Sequence, residues 1–289
     1  MTGRNAAKKT EEKRTSMFNG KMKALTFSYD DGVTQDRRLI GLFNKYGLKC
    51  TFNLNSGLWA APGTVYPAGQ IHRRMTLERA RELYLSSGQE IAAHCLTHPS
   101  LPELDDAGVI YETMQDRLNL ENQFGVLVQG MAYPYGAYDE RTARLLKTCG
   151  IQYCRTVYST HAFDLPCEWL TLHPTCHHDD GQLFSLADDF LKPDGPDRVR
   201  LFYIWGHAYE FEANRNFDRF EKLGDLLAGR DDIWYATNIE ICSYVKAFGS
   251  LRFSADRTRA YNPAAQTVWL EENGKLISVK PGSVVSLTN

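Results

Sequence analysis

The chain has 289 residues, 43% of them hydrophobic, with a formal net charge of −2 and a pI near 6.5. That length suits one large core, and the near-neutral balance provides no basic field for nucleic acid or anionic lipid. The first 21 residues carry the charged run KKTEEKR without the apolar core of a signal peptide, and no later segment supplies the ~18 consecutive apolar residues of a membrane span. Taken in chain order, residues 1–21 read as a disordered tail of a soluble, unexported protein. Strand-like runs follow at 22–29, 49–54, 89–94, 127–133, 151–157, 199–205 and 233–237. Helical patterns lie between them at 34–46, 76–87 and 139–149, closed by Gly47, Gly88 and Gly150. Strands alternating with helices predict a parallel sheet, and seven of them predict a distorted (β/α)7 barrel over residues 22–249. Beyond residue 250, Asn273-Gly274 between two strand-like runs predicts a hairpin, and so a small C-terminal β appendage over 250–289.

The seven cysteines, Cys50, Cys95, Cys149, Cys154, Cys167, Cys176 and Cys242, form no C-x-x-C pair. They read as reduced thiols, most of them core fillers, in a cytoplasmic protein.

In parallel α/β barrels the chemistry collects at the carboxyl ends of the strands. Asp30 and Asp31 end the first strand in TFSYDDG. His94 ends the third, with His98 four residues on in HCLTH; Tyr133 to Gly136, YPYG, end the fourth; and His207 in WGH ends the sixth. Each piece has a plain structural reading, since Asp-Gly makes turns and lone histidines are commonly hydrogen-bonded structural residues. Jointly they place five ionisable side chains and a Pro-Tyr-Gly turn on one rim. Two histidines and one carboxylate leave positions open on a divalent ion, as a hydrolytic site requires, and the second carboxylate is then available as a base.

In that order TFSYDDG, HCLTH, YPYG and WGH resemble the motifs of the polysaccharide deacetylases of carbohydrate esterase family 4, the NodB homology domain, over roughly residues 22 to 245. The resemblance implies metal-dependent removal of acetyl groups from sugars, N-acetyl or O-acetyl. It implies Asp30 as catalytic base, Asp31, His94 and His98 as ligands of one divalent metal (zinc, with cobalt, nickel or iron as alternatives), His207 as catalytic acid, and the Tyr135 N–H as oxyanion donor. The expected partner is an acetylated oligosaccharide or sugar conjugate, with neither nucleic acid nor membrane involved. A sugar-binding barrel without catalysis, and another barrel metallohydrolase acting on cyclic amides or phosphoesters, share the same constellation.

Ala132 stands where family members often carry an arginine that holds the catalytic aspartate, and Glu168-Trp169 echoes a later Asp-Trp element only loosely. The first strand carries an added Ser-Tyr before its aspartates. The segment LTLHPTCHHDD brings His173, Cys176, His177, His178 and Asp179 together. Its spacing matches no familiar metal site, and one member is expected to orient His207 or line the cleft, with Glu210 as another candidate. Trp59, Tyr135, Trp169 and Trp205 are candidates for stacking on sugar rings, Trp205 reading best as core. The long segments 56–75 and 158–180 are expected to narrow the site for short substrates.

Overall fold

The structure, a computed structural model, describes Phe18 and residues 20–193, 199–272 and 274–288. The tail expected over residues 1–21 falls outside the described residues apart from Phe18, Gly20 and Lys21. The strands of the main sheet are β1 (Lys23–Asp30), β2 (Cys50–Leu54), β3 (Glu90–Ala93), β4 (Gly130–Ala132), β5 (Tyr153–Arg155), β6 (Cys176–His177), β7 (Arg200–Gly206) and β8 (Ile233–Tyr235). The helices are α1 (Asp36–Tyr46), α2 (Leu77–Leu85), α3 (Asp106–Phe124), α4 (Glu140–Thr148), α5 (Leu183–Leu191), α6 (Ala208–Ala213), α7 (Phe217–Leu227) and α8 (Asn238–Gly249). Their ends follow local chemistry. Gly47 closes α1 in the left-handed conformation at φ 65°, and Asp139 opens α4 with a reciprocal capping box to Thr142.

All eight strands pair in parallel, in the order β5-β4-β3-β2-β1-β7-β6, with β8 beside β1. One edge of β1 is shared: β8 pairs with Lys23 to Leu25, and β2 takes over from Phe27 to Asp30. The ring closes through a single residue, because Leu172 N–H donates to Cys154 O and Leu172 O accepts from Thr156 N–H, both at 2.9 Å. The result is the distorted seven-stranded barrel, with β8 inserted at its amino-terminal end.

Two expectations need correction here. Segment 158–180 is not only a rim loop, since it supplies the ring-closing Leu172 and the strand β6. A two-residue strand and a one-residue bridge are too short to show a period of two, so no sequence pattern marks them. The seventh sequence-predicted strand, β8, is real but lies off the ring path.

Strand β1 is buried along its whole length, and its alternation sorts two environments. Leu25, Phe27 and Tyr29 face the helical layer and pack with Phe43 and Phe220. Thr26, Ser28 and Asp30 face the barrel interior, where they meet Asn238, Asn53 and Arg155. Phe43 lies within 6.3 Å, centroid to centroid, of Phe27, Tyr29, Phe52 and Phe220. Its truncation to alanine removes the centre of that layer, at a cost of about 3–5 kcal/mol.

After α8 come β9 (Arg252–Phe253), β10 (Arg259–Tyr261), β11 (Val268–Glu272), β12 (Lys275–Val279) and β13 (Val284–Ser286). β11 and β12 form an antiparallel hairpin, and β9, β10 and β13 a second small sheet. Val268, Leu270 and Val279 bury against Phe18, Ile241 and Tyr244, so the appendage packs on α8 at the amino-terminal end of the barrel, away from the rim that carries the aspartates. Among the described residues no helix is long and apolar enough to cross a membrane.

Candidate active site

The carboxyl ends of β1, β3, β4 and β7 bring all six sequence-predicted residues together. Ligand atoms of Asp31, His94 and His98 lie within 4.8 Å of one another. The His98 ring stands 4.7 Å from that of His94 and 4.5 Å from that of Tyr135. Asp30 Oδ2 lies 3.7 Å from His207 Nε2 and 3.9 Å from His94 Nε2. Neighbouring aspartates diverge because Asp30 completes the inward face of β1, whereas Asp31 leaves the strand in the left-handed region at φ 84°. Cys95, His98 and Tyr135 adopt the same region, at φ 63°, 61° and 59°. Such backbone is costly outside glycine and concentrates at functional sites. The turn of YPYG is closed by Gly136 N–H to Tyr133 O and Ala137 N–H to Pro134 O, which leaves the Tyr135 N–H without a backbone acceptor among the described residues.

The donor set of Asp31, His94 and His98 fits a divalent cation. His94 Nδ1 donates to Ala132 O at 2.8 Å, which fixes the tautomer and leaves Nε2 as a lone-pair donor. Burial lowers the His94 pKa to about 4 and also lowers that of His98, so both rings are neutral near pH 7. The end of β3 is anchored from below: Asp116 accepts the N–H groups of Ser56 and His94, and Asn55 donates to His94 O and Cys95 O.

What holds Asp30 is Arg155, which reading the sequence alone did not find. In the sheet Arg155 is the register partner of Ala132, so the charge absent from β4 is supplied from the adjacent position on β5. The Arg155 side chain is wholly buried, its Nη2 donates to Asp30 Oδ2, and its guanidinium lies 4.4 Å from the Trp205 ring centroid. Asn53 Nδ2 donates to Asp30 Oδ1 at 2.8 Å from the register-paired position on β2. Burial would raise the Asp30 pKa, but Arg155, His94 and His207 outweigh it and hold the carboxyl below its usual range. The available signal was an arginine in the otherwise apolar strand YCR.

Segment 56–75 folds onto the other aspartate. Arg74 Nη2 donates to Asp31 Oδ1 at 2.9 Å, and His72 Nε2 lies 3.1 Å from Asp31 Oδ2. Against the opposing effect of burial, these two hold the Asp31 carboxyl well below the carboxylate range.

His207 caps α6. Its N–H donates to Glu210 Oε2 at 2.9 Å, and its Nδ1 lies 3.2 Å from Glu210 Oε1. Burial opposes protonation of His207, but Glu210, Asp30 and Asp31 outweigh it and raise the pKa. Glu210 is thus the residue beside His207, and the LTLHPTCHHDD group reaches it only indirectly. His177 and His178 approach Glu210 Oε2, at 3.1 and 3.4 Å. His173 bonds Thr156 Oγ1 instead, Asp179 bonds Asn214 and Asn216, and Cys176 is core. Among the aromatics, Tyr135 is 69% exposed at the site, Trp59 and Trp169 pack against the cores, and Trp205 lies under Arg155 as part of the site floor.

Residues 18–154 match the family described as polysaccharide deacetylase. The match takes in a little under half of the chain. The matched span includes Asp30, Asp31, His94, His98 and Tyr135, whereas Arg155, His207 and Glu210 follow it. A chitin deacetylase from Pestalotiopsis sp is 32% identical over 113 residues, which is 39% of this chain and 33% of that protein's length. A crystal structure from Mycobacterium smegmatis, provisionally assigned as a polysaccharide deacetylase, has a TM-score of 0.54 at 18% identity, covering 83% of this chain and 96% of its own; it shows the fold. A family 4 carbohydrate esterase from Streptomyces lividans in complex with acetate has a TM-score of 0.45 at 15% identity, covering 71% of this chain and 91% of its own.

Proposed function

We propose that this protein is a metal-dependent hydrolase that removes acetyl groups from acetylated sugars, with short N-acetylated oligosaccharides or sugar conjugates as substrates. The observation that carries the reading is the placement of Asp30, held by Arg155 and Asn53, with Oδ2 3.9 Å from Nε2 of His94 in the ligand set and 3.7 Å from Nε2 of His207. In this reading Asp31, His94 and His98 hold one divalent cation, best suited by zinc on their mixed nitrogen and oxygen character. When bound, that ion polarises the acetyl carbonyl and acidifies the attacking water.

Asp30 accepts the proton of the attacking water as the bond to the acetyl carbon forms. Its lowered basicity, set by Arg155, suits a water already acidified. Negative charge develops on the carbonyl oxygen, and the free Tyr135 N–H donates to it. His207 delivers a proton to the departing nitrogen from the other side, and Glu210 orients the ring and favours its charged form. An amine departs poorly unless protonated, so a carboxylate-supported acid favours N-acetyl over O-acetyl substrates. The presence of Arg155 in place of the missing arginine favours catalysis over a silent sugar-binding barrel. Segment 56–75, fastened to Asp31 through His72 and Arg74, walls one side of the site and favours short substrates over insoluble polymer.

The test is acetate release from a panel of N- and O-acetylated mono- and oligosaccharides, with metal analysis on the same sample. Acetate released in proportion to bound metal supports the reading. No release from any member of the panel at full metal occupancy rejects it.

A further inference from the structure

The carboxyl end of β6 faces the first turn of α6, and there a second set of ligand-type side chains adjoins the site. One donor atom each from His177, His207 and Glu210 lies within 4.8 Å of the others. His177 Nε2 stands 3.1 Å from Glu210 Oε2, and His207 Nδ1 stands 3.2 Å from Glu210 Oε1. All three residues are half-buried. Behind them His178, 1% exposed, points Nε2 to within 3.4 Å of Glu210 Oε2, yet neither of its ring nitrogens has a hydrogen-bond partner among the described residues. A buried imidazole without a hydrogen-bond partner is costly. Among the described residues no lysine or arginine forms an ion pair with Glu210. Imidazole nitrogens therefore surround this carboxylate, and its countercharge must come from a proton or from a cation.

We propose that His177, Glu210 and His207 Nδ1 form a second binding site for a zinc-type divalent cation, separate from the set of Asp31, His94 and His98 and sharing no ligand with it. Two imidazole nitrogens and one carboxylate are the donors that a borderline ion prefers, with a coordination position left for solvent. Once the ion takes one Glu210 oxygen, the other is left to accept from His178 Nε2–H, which gives that nitrogen a partner. The site also has a regulatory consequence, which rests on the acid role proposed for His207. An imidazole whose Nδ1 lone pair is held by a cation cannot become imidazolium, so filling this site withdraws the proton donor. Activity then rises with the first equivalent of zinc and falls with the second.

The test is zinc binding by equilibrium dialysis to metal-stripped full-length protein, from micromolar to millimolar zinc, followed by cobalt substitution read by visible absorption. Wild type should bind two equivalents. His177→Ala and Glu210→Gln should each keep the first and weaken the second by at least the ~10- to 100-fold that loss of an outer partner costs. Asp31→Asn should lose the first and keep the second. Thermal unfolding without metal identifies any variant that fails to fold, and two independent variants of the second site guard against that failure. A single equivalent in wild type at every concentration, or a second equivalent retained by both His177→Ala and Glu210→Gln, overturns the site. Two equivalents without inhibition of acetate release keep the site and remove the acid role of His207, so the two failures are distinguishable.

Discussion

Arg155 and Asp30 meet inside the barrel across 125 residues of chain, one from β5 and the other from β1, with both side chains at or below 2% exposure. An ion pair this dry depends on both partners, since deleting one strands the other charge. Arg155→Ala is expected to destabilise the protein by about 3–5 kcal/mol and to cut turnover. Ala132→Arg placed on top of it should recover part of both, because positions 132 and 155 are register partners. Urea unfolding and acetate release on the single and double variants check this; no recovery in the double variant would show that position on β4 cannot substitute for β5.

The two aspartates are expected to separate cleanly. Asp30→Asn retains metal and loses ~10²-fold or more of the rate, as for removal of a general base, whereas Asp31→Asn loses metal and rate together. Elemental analysis beside kinetics decides it, and near-normal turnover in Asp30→Asn would move the base elsewhere.

As the acid of the proposed reaction His207 must act in its protonated form, so the rate should fall as pH rises through its pKa, which lies above the ordinary histidine value. Removing the Glu210 charge lowers that pKa. Glu210→Gln should therefore shift the alkaline limb of kcat to lower pH, and His207→Ala should be slow with the limb absent. An unmoved limb in Glu210→Gln assigns it to a different group.

Asp36 offers a stability test away from the site. Burial raises its pKa to about 8, although Tyr84 Oη and Val33 N–H both donate to Oδ2. A carboxyl with a raised folded-state pKa contributes full stability below its unfolded value near 4, and that contribution is lost as pH rises toward 8. Asp36→Asn should flatten the melting temperature across that window, with its largest relative gain at the alkaline end. A Tm profile parallel to that of wild type would show that Asp36 is ionised in the folded state.

The sequence by itself determined the strand and helix alternation, the end of β1 at two aspartates, the His94 and His98 pair, the Pro-Tyr-Gly turn and the position of His207. Each is written in local chemistry: a period of two or 3.6, a capping residue, a glycine where φ turns positive. Tertiary structure alone decided that Arg155 stands in for the arginine absent at Ala132, that Leu172 and β6 close the ring, and that Glu210 rather than His173 or Asp179 lies against His207. Those outcomes depend on which strand lies beside which and in what register. Register is set by the packing of whole faces, so a buried charge pair can move to the neighbouring strand without leaving a trace in either local pattern.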